Sequence, residues 1–89
     1  MKAIITVLGS DKVGIIARVT AFLAENNINI LDISQTTMRD IFTMIMLVDI
    51  SASQLEFARI VEGLNAIGKG MGVDIKTQHE DIFKSMHEV

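Results

Sequence analysis

The chain predicts an α+β fold, a two-layer sandwich with the element order β-α-β-β-α-β. Three observations lead there. Apolar, β-branched runs alternate with two stretches of helical periodicity. The two middle strands are separated by only Arg39 and Asp40, a hairpin-length connection. The third strand is apolar on both faces, as a strand lying centrally in a covered sheet is.

The elements follow in order. Ala3 to Leu8 is rich in β-branched residues and forms β1, which stops at Gly9. Asp11 suits an N-cap, and Ile15, Val19, Phe22, Leu23 and Asn26 follow at helical spacing as α1. Asn26 and Asn27 end it, since Asn tolerates a left-handed cap. Ile28 to Met38 is β2, apolar at first and polar from Ser34 to Thr37. Ile41 to Ile50 is β3. Ser53, Gln54, Leu55 and Glu56 read as a capping box opening α2, with Phe57, Val61, Leu64 and Met71 as its apolar stripe, Ile60 and Ile67 beside it and Gly72 as its stop. Val73, Ile75 and Thr77 alternate with polar residues as β4. Ile82, Phe83, Met86 and Val89 then predict a short amphipathic tail helix.

This order is the split βαβ arrangement, a ferredoxin-like sandwich with a four-stranded antiparallel sheet and two helices on one face. The chain divides into a domain over 1–79 and the tail over 80–89. Eighty-nine residues bury a thin core, and 49% of them are hydrophobic. Mean hydropathy is +0.42. Spare apolar surface on so small a domain points to a homodimer.

Charge and residue type exclude much. The net charge is −3, and the eight Lys and Arg are spread along the chain without a basic cluster. Direct nucleic-acid binding therefore lacks its electrostatic footprint. Base stacking lacks its platform too, because the aromatics are four Phe, only Phe42 of them on a strand. There are no cysteines, which removes disulfides and thiolate metal sites. His79 and Glu80 begin like a zincin motif, but Phe83 occupies the place of its second His. No cofactor or metal is implied. No apolar run reaches the roughly 18 residues of a membrane span, and the start has no secretory pattern. A soluble, cytoplasmic protein without membrane contact is expected.

The junction from Leu8 to Ile15 is the informative segment. Strand, tight turn and helix start present backbone N–H groups to a ligand. Gly9 and Gly14 have the spacing of a phosphate loop, but Ile15 and Ile16 stand where Lys and Ser or Thr are required. The turn can hold a small carboxylate, or it can simply bring α1 close to the sheet. Asp11 is either an N-cap or a ligand contact. Asp32, in an apolar context, and Ser34 to Thr36 are either a solvated strand end or a hydrogen-bonding cluster facing inward or a second chain. No catalytic triad or nucleophile is visible, so nothing argues for an enzyme. Catalysis of the acylphosphatase type wants an Arg in the first loop, where Lys12 is the only basic residue.

Gly9 to Ile16 (GSDKVGII) resembles the β1–α1 signature of ACT domains, and Asn27 to Ile30 (NINI) resembles their second marker. Asp32 to Thr36 (DISQT) and the tail are similar to a family of stand-alone bacterial and archaeal ACT proteins. That family is related to the ACT halves of the glycine cleavage system repressor. The resemblance implies a non-enzymatic regulatory module that pairs side by side and binds an amino acid at the interface. Asp11, Lys12, Val13, Gly14 and Ile15 fall on or beside the loop that holds the ligand. Asn29 falls on the position that reaches it from the partner chain. Val13 stands where the family often has Pro, and Gly9 stands where serine-binding members have His. A second reading is an adaptor without a ligand, docking on a regulated protein through its sheet or its tail.

Overall fold

A computed structural model describes residues 1–10 and 14–81. β1 (Lys2–Ser10), α1 (Ile15–Glu25), β2 (Asn29–Met38), β3 (Ile41–Asp49), α2 (Phe57–Met71) and β4 (Asp74–His79) follow in the predicted order. The sheet is antiparallel with strand order β2-β3-β1-β4. β3 is therefore central, as its two apolar faces require. The tail from Ile82 onward lies outside the described residues.

Alternation builds the core. Ala3, Ile5 and Val7 of β1 and Phe42, Met44, Met46 and Val48 of β3 point to the helices, and all are buried. Ile15, Val19 and Leu23 of α1 and Ile60, Leu64 and Ile67 of α2 meet them. The buried stripe of α2 is thus rotated from the predicted one: Phe57, Val61 and Met71 are only half-buried at its margin. Phe42 is committed to this core and offers no stacking platform.

Both helices end as their sequences foretell. Asn27 takes φ 57°, and Ile28 N–H donates to Leu23 O at 2.9 Å. Gly72 takes φ 71°, and Val73 N–H donates to Gly68 O at 2.9 Å. Each is a Schellman closure that satisfies orphan carbonyls.

α1 begins at Ile15 with Gly14 at its N-cap position, and Asp11 lies outside the described residues. The start of α2 differs from expectation. α2 begins at Phe57 with Glu56 as its N-cap, so no capping box forms. Ser53 Oγ instead accepts from Leu55 N–H at 3.1 Å, a local turn that competes with helix and delays it. Asp32 is not buried. A bulge between Ile30 and Asp32 turns it outward, and its Oδ1 accepts from Ile33 N–H at 2.9 Å.

Two glycines permit close packing. A Cβ on Gly9 would lie 2.7 Å from Val73 Cγ1, and one on Gly63 would lie 2.4 Å from Phe22 Cζ. The second contact brings α2 against α1.

Candidate functional site

The first half of the site is the start of α1. β1 runs to Ser10, which pairs with Ile41. Asp11, Lys12 and Val13 lie outside the described residues. Gly14 follows in the left-handed region at φ 89°. Among the described residues, chain neighbours aside, nothing lies within 4 Å of where its Cβ would be, so backbone conformation selects glycine there. Ile15 is 3% exposed and anchors the helix in the core. Arg18 N–H donates to Gly14 O at 2.9 Å, the first turn of the helix.

Among the described residues no side chain caps this end, and the first turn carries no acidic residue. Its leading N–H groups have no partner within the helix. They sit at the positive end of the helix dipole. That arrangement is suited to a carboxylate.

The second half is Asn29, the first residue of β2. It is exposed, and its amide makes no hydrogen bond among the described residues. By register it stands opposite Asp49, which stands opposite Lys2. Asp49 belongs to a polar knot that the sequence did not reveal. Ser51 N–H donates to Asp49 Oδ1 at 2.9 Å, and the amino group of Met1 donates to Ser51 Oγ at 2.6 Å. That amino group lies 3.7 Å from Asp49 Oδ1. Hydrogen bonds from Ser51, helped by the positive charges of the N-terminus and Lys2, hold the Asp49 carboxyl below its ordinary value. Asp49 and Ser51 form a local Asx turn, and only the strand register brings Met1 and Lys2 to it.

The two halves do not meet within one chain. Asn29 shares a row with Lys2 and Asp49, while the loop leaves from the row of Ser10, Ile41 and Met38. Eight strand steps of about 3.3 Å separate those rows by roughly 26 Å. Gly14 and Ile15 are side by side, and Asn29 is at the far end of the sheet.

His79 stacks on Phe57 at a centroid distance of 4.1 Å. Among the described residues no group of three or more acidic or His side chains is placed to hold a metal. None of their helices is long and apolar enough to cross a membrane.

A ferredoxin-like βαββαβ sandwich defines an architectural class that hosts many functions. The chain is a member of the ACT-domain family, whose model matches residues 2–78, and this places it among regulatory modules. It is 60% identical to a UPF0237 protein of Clostridium acetobutylicum over the full length of both chains. An ACT domain protein from Streptococcus pneumoniae is 42% identical, with a TM-score of 0.81 and 98% of each chain covered. A structure assigned as a glycine cleavage system transcriptional repressor shares the fold at a TM-score of 0.74 and 22% identity. It covers 86% of this chain and 44% of that one.

Proposed function

We propose that this ACT domain works as a side-by-side homodimer that binds a small amino acid at the seam between two copies. The bound state is then read by a regulated protein. The observation that carries the reading is the separation of the two half-sites. A two-fold axis across the strands brings the Asn29 end of one copy to the loop end of the other. Two equivalent sites result, each incomplete in a single chain.

β2 supports this arrangement. It is an edge strand of ten residues with an unpaired side, and none of its residues is buried. Antiparallel pairing of two such edges continues the sheet and sets the required two-fold. In each site Asp11 meets the ligand's ammonium, with Lys12 beside it. The N–H groups from Val13 to Ile15 meet its carboxylate. The Asn29 amide supplies donor and acceptor from the partner copy. Binding across the seam stabilises the dimer by mass action and changes the surface offered to a regulated partner. The glycine cleavage repressor structure, a regulator by its name, is consistent with such a role.

Titration calorimetry against the twenty amino acids tests the ligand. Heat and a raised melting temperature are expected with at least one. Neither signal at millimolar concentration with any of them overturns the amino-acid reading. The adaptor without a ligand then takes its place.

A further inference from the structure

The helix layer stops short of β2. By register Ile33, Gln35 and Thr37 of β2 pair with Met46, Met44 and Phe42 of β3, and so face the helices with them. Met44 and Met46 are 0% and Phe42 is 6% exposed, whereas Ile33 is 41% exposed and Gln35 and Thr37 are exposed too. A strand face that is turned to the helices and still wet leaves a notch along the edge of the domain.

α1 forms the wall of that notch. Arg18, Ala21, Phe22 and Glu25 line a shallow hollow with Ile67, so that flank of α1 is turned to α2. The opposite flank carries Ile16, Thr20 and Ala24 at i, i+4 and i+8, one face of a helix. Ile16 is 38% exposed, and Ala24 is exposed. The polar member is satisfied within its own helix, since Thr20 Oγ1 donates to Ile16 O at 2.7 Å. The flank is therefore aliphatic in character.

We propose that this flank of α1 is a contact surface for the same flank of a second copy, the two helices packing antiparallel across the seam above paired Ile33 side chains. This contact rests on the side-by-side pairing proposed above and closes its helix side. A two-fold that brings Asn29 of one copy to the loop end of the other passes near the middle of β2, at Ile33 and Ser34. Thr20 is likewise the middle residue of α1. Thr20 then stands closest to its own counterpart, and Ile16 meets Ala24. Two considerations select this side of the seam. A stable pair buries about 800 Å² of each partner, so surface beside the edge backbone has to contribute. On the open face of the sheet the seam is lined by Asp32, Ser34, Thr36 and Met38, with a charge in each copy, whereas the helix side offers Ile16, Ala24 and Ile33. Ile16 lies two residues beyond Gly14, so the turn that carries the loop donors also braces the seam.

Thr20→Cys tests the contact, since the chain has no cysteine of its own. Helix axes about 8–10 Å apart bring facing Cα atoms within the roughly 4.4–6.8 Å that a disulfide spans. Thr20→Cys is expected to oxidise to twice the chain mass on a denaturing gel at least about tenfold faster than Ala21→Cys, on the flank toward α2. Equal rates, or a faster Ala21→Cys, overturn the proposal. Light scattering on the unsubstituted chain separates its failure from failure of the pairing. A particle of twice 9.8 kDa with equal cross-linking rates overturns this contact alone, and a particle of 9.8 kDa overturns both. Ile16→Asp gives a second readout. An acid in the first turn suits the helix dipole, so the fold is kept. It is expected to raise the dimer dissociation constant at least about tenfold, because a charge is left dry in the seam. Ile41→Asp, exposed on the open face, is expected to move it by less than about twofold. Equal shifts overturn the proposal as well.

Discussion

Gly63→Ala is expected to destabilise the chain even though it improves the helix. Alanine in place of glycine in a helix interior gains about 1 kcal/mol. Gly63 lies within α2, so that gain applies in full. The added Cβ would lie 2.4 Å from Phe22 Cζ and 2.5 Å from Phe22 Cε1. Carbon atoms settle at about 3.5–4.0 Å, so the ring must retreat by roughly 1 Å or swing toward solvent. Overpacking of this kind costs about 1–3 kcal/mol, and with two ring atoms in conflict the upper half of that range applies. The net loss is about 1–2 kcal/mol, or roughly 5–15 °C in melting temperature for a domain this size. Urea unfolding followed by circular dichroism, at one fixed protein concentration, measures it. In a Phe22→Ala background the obstacle is gone, and the same substitution is expected to stabilise by about 1 kcal/mol. The coupling between the two positions is then about 2–3 kcal/mol. A Gly63→Ala chain more stable than the parent would refute the reasoning. So would an equal effect in both backgrounds. The spacing at stake matters for the site, because Phe22 belongs to the helix whose first turn carries the loop donors.

Gly14→Ala meets nothing among the described residues and is expected to lose about 1–2 kcal/mol through backbone strain, with Gly14→Asn losing less; equal losses in denaturant would contradict this. Arg39 occupies φ 56° at the first position of the two-residue hairpin turn, so Arg39→Gly is expected to gain about 0.5–1 kcal/mol, and a loss would count against the strain argument. Asp49 has a folded pKa below its unfolded value, so its stabilisation is present at neutral pH and is lost as pH falls through that depressed value. Thermal melts from about pH 4 downward should therefore fall less steeply for Asp49→Asn than for the parent, and parallel curves would remove Asp49 from the account. Asn29→Ala is expected to abolish amino-acid binding while moving stability by less than about 0.5 kcal/mol, as suits an exposed side chain with no hydrogen bond among the described residues; unchanged calorimetric affinity would dismiss Asn29 from the site.

Most of the fold was legible because burial on one side of the sheet imposes period-two alternation on β1 and β3. The two helix stops were legible because left-handed closures need Gly or Asn, and Gly72 and Asn27 stand where the periodicity ends. The start of α2 was misread because Ser53 is a good cap by residue type, yet turns and caps draw on the same side chains. Ser53 folds back on Leu55, and the positive φ of Gly14 sets the start of α1. Asp32 looked buried because its neighbours are apolar. The bulge that frees it is a property of pairing with β3 and has no local signature. The candidate site divides likewise. Gly14, Ile15 and Asn29 stand out by motif. The Asp49, Ser51 and Met1 knot beside Asn29 appears only when register places residues some fifty apart in one row.

The edge strand β2 has a consequence for the chain's handling and its life in a cell. From Ile33 to Met38 it has no charge and no proline, and all six residues are exposed. Free edges are ordinarily guarded by lysine, proline or a covering element, and beyond the bulge this stretch has none. Six uncharged residues of good β-propensity also have the makeup of segments that stack into cross-β fibres. An edge held by another copy is hidden, and an edge left vacant is a template. Under the proposed pairing, expression of a variant that cannot pair would leave this edge as a nucleus for aggregation. Solubility at low concentration thus becomes a direct report on whether that edge is occupied.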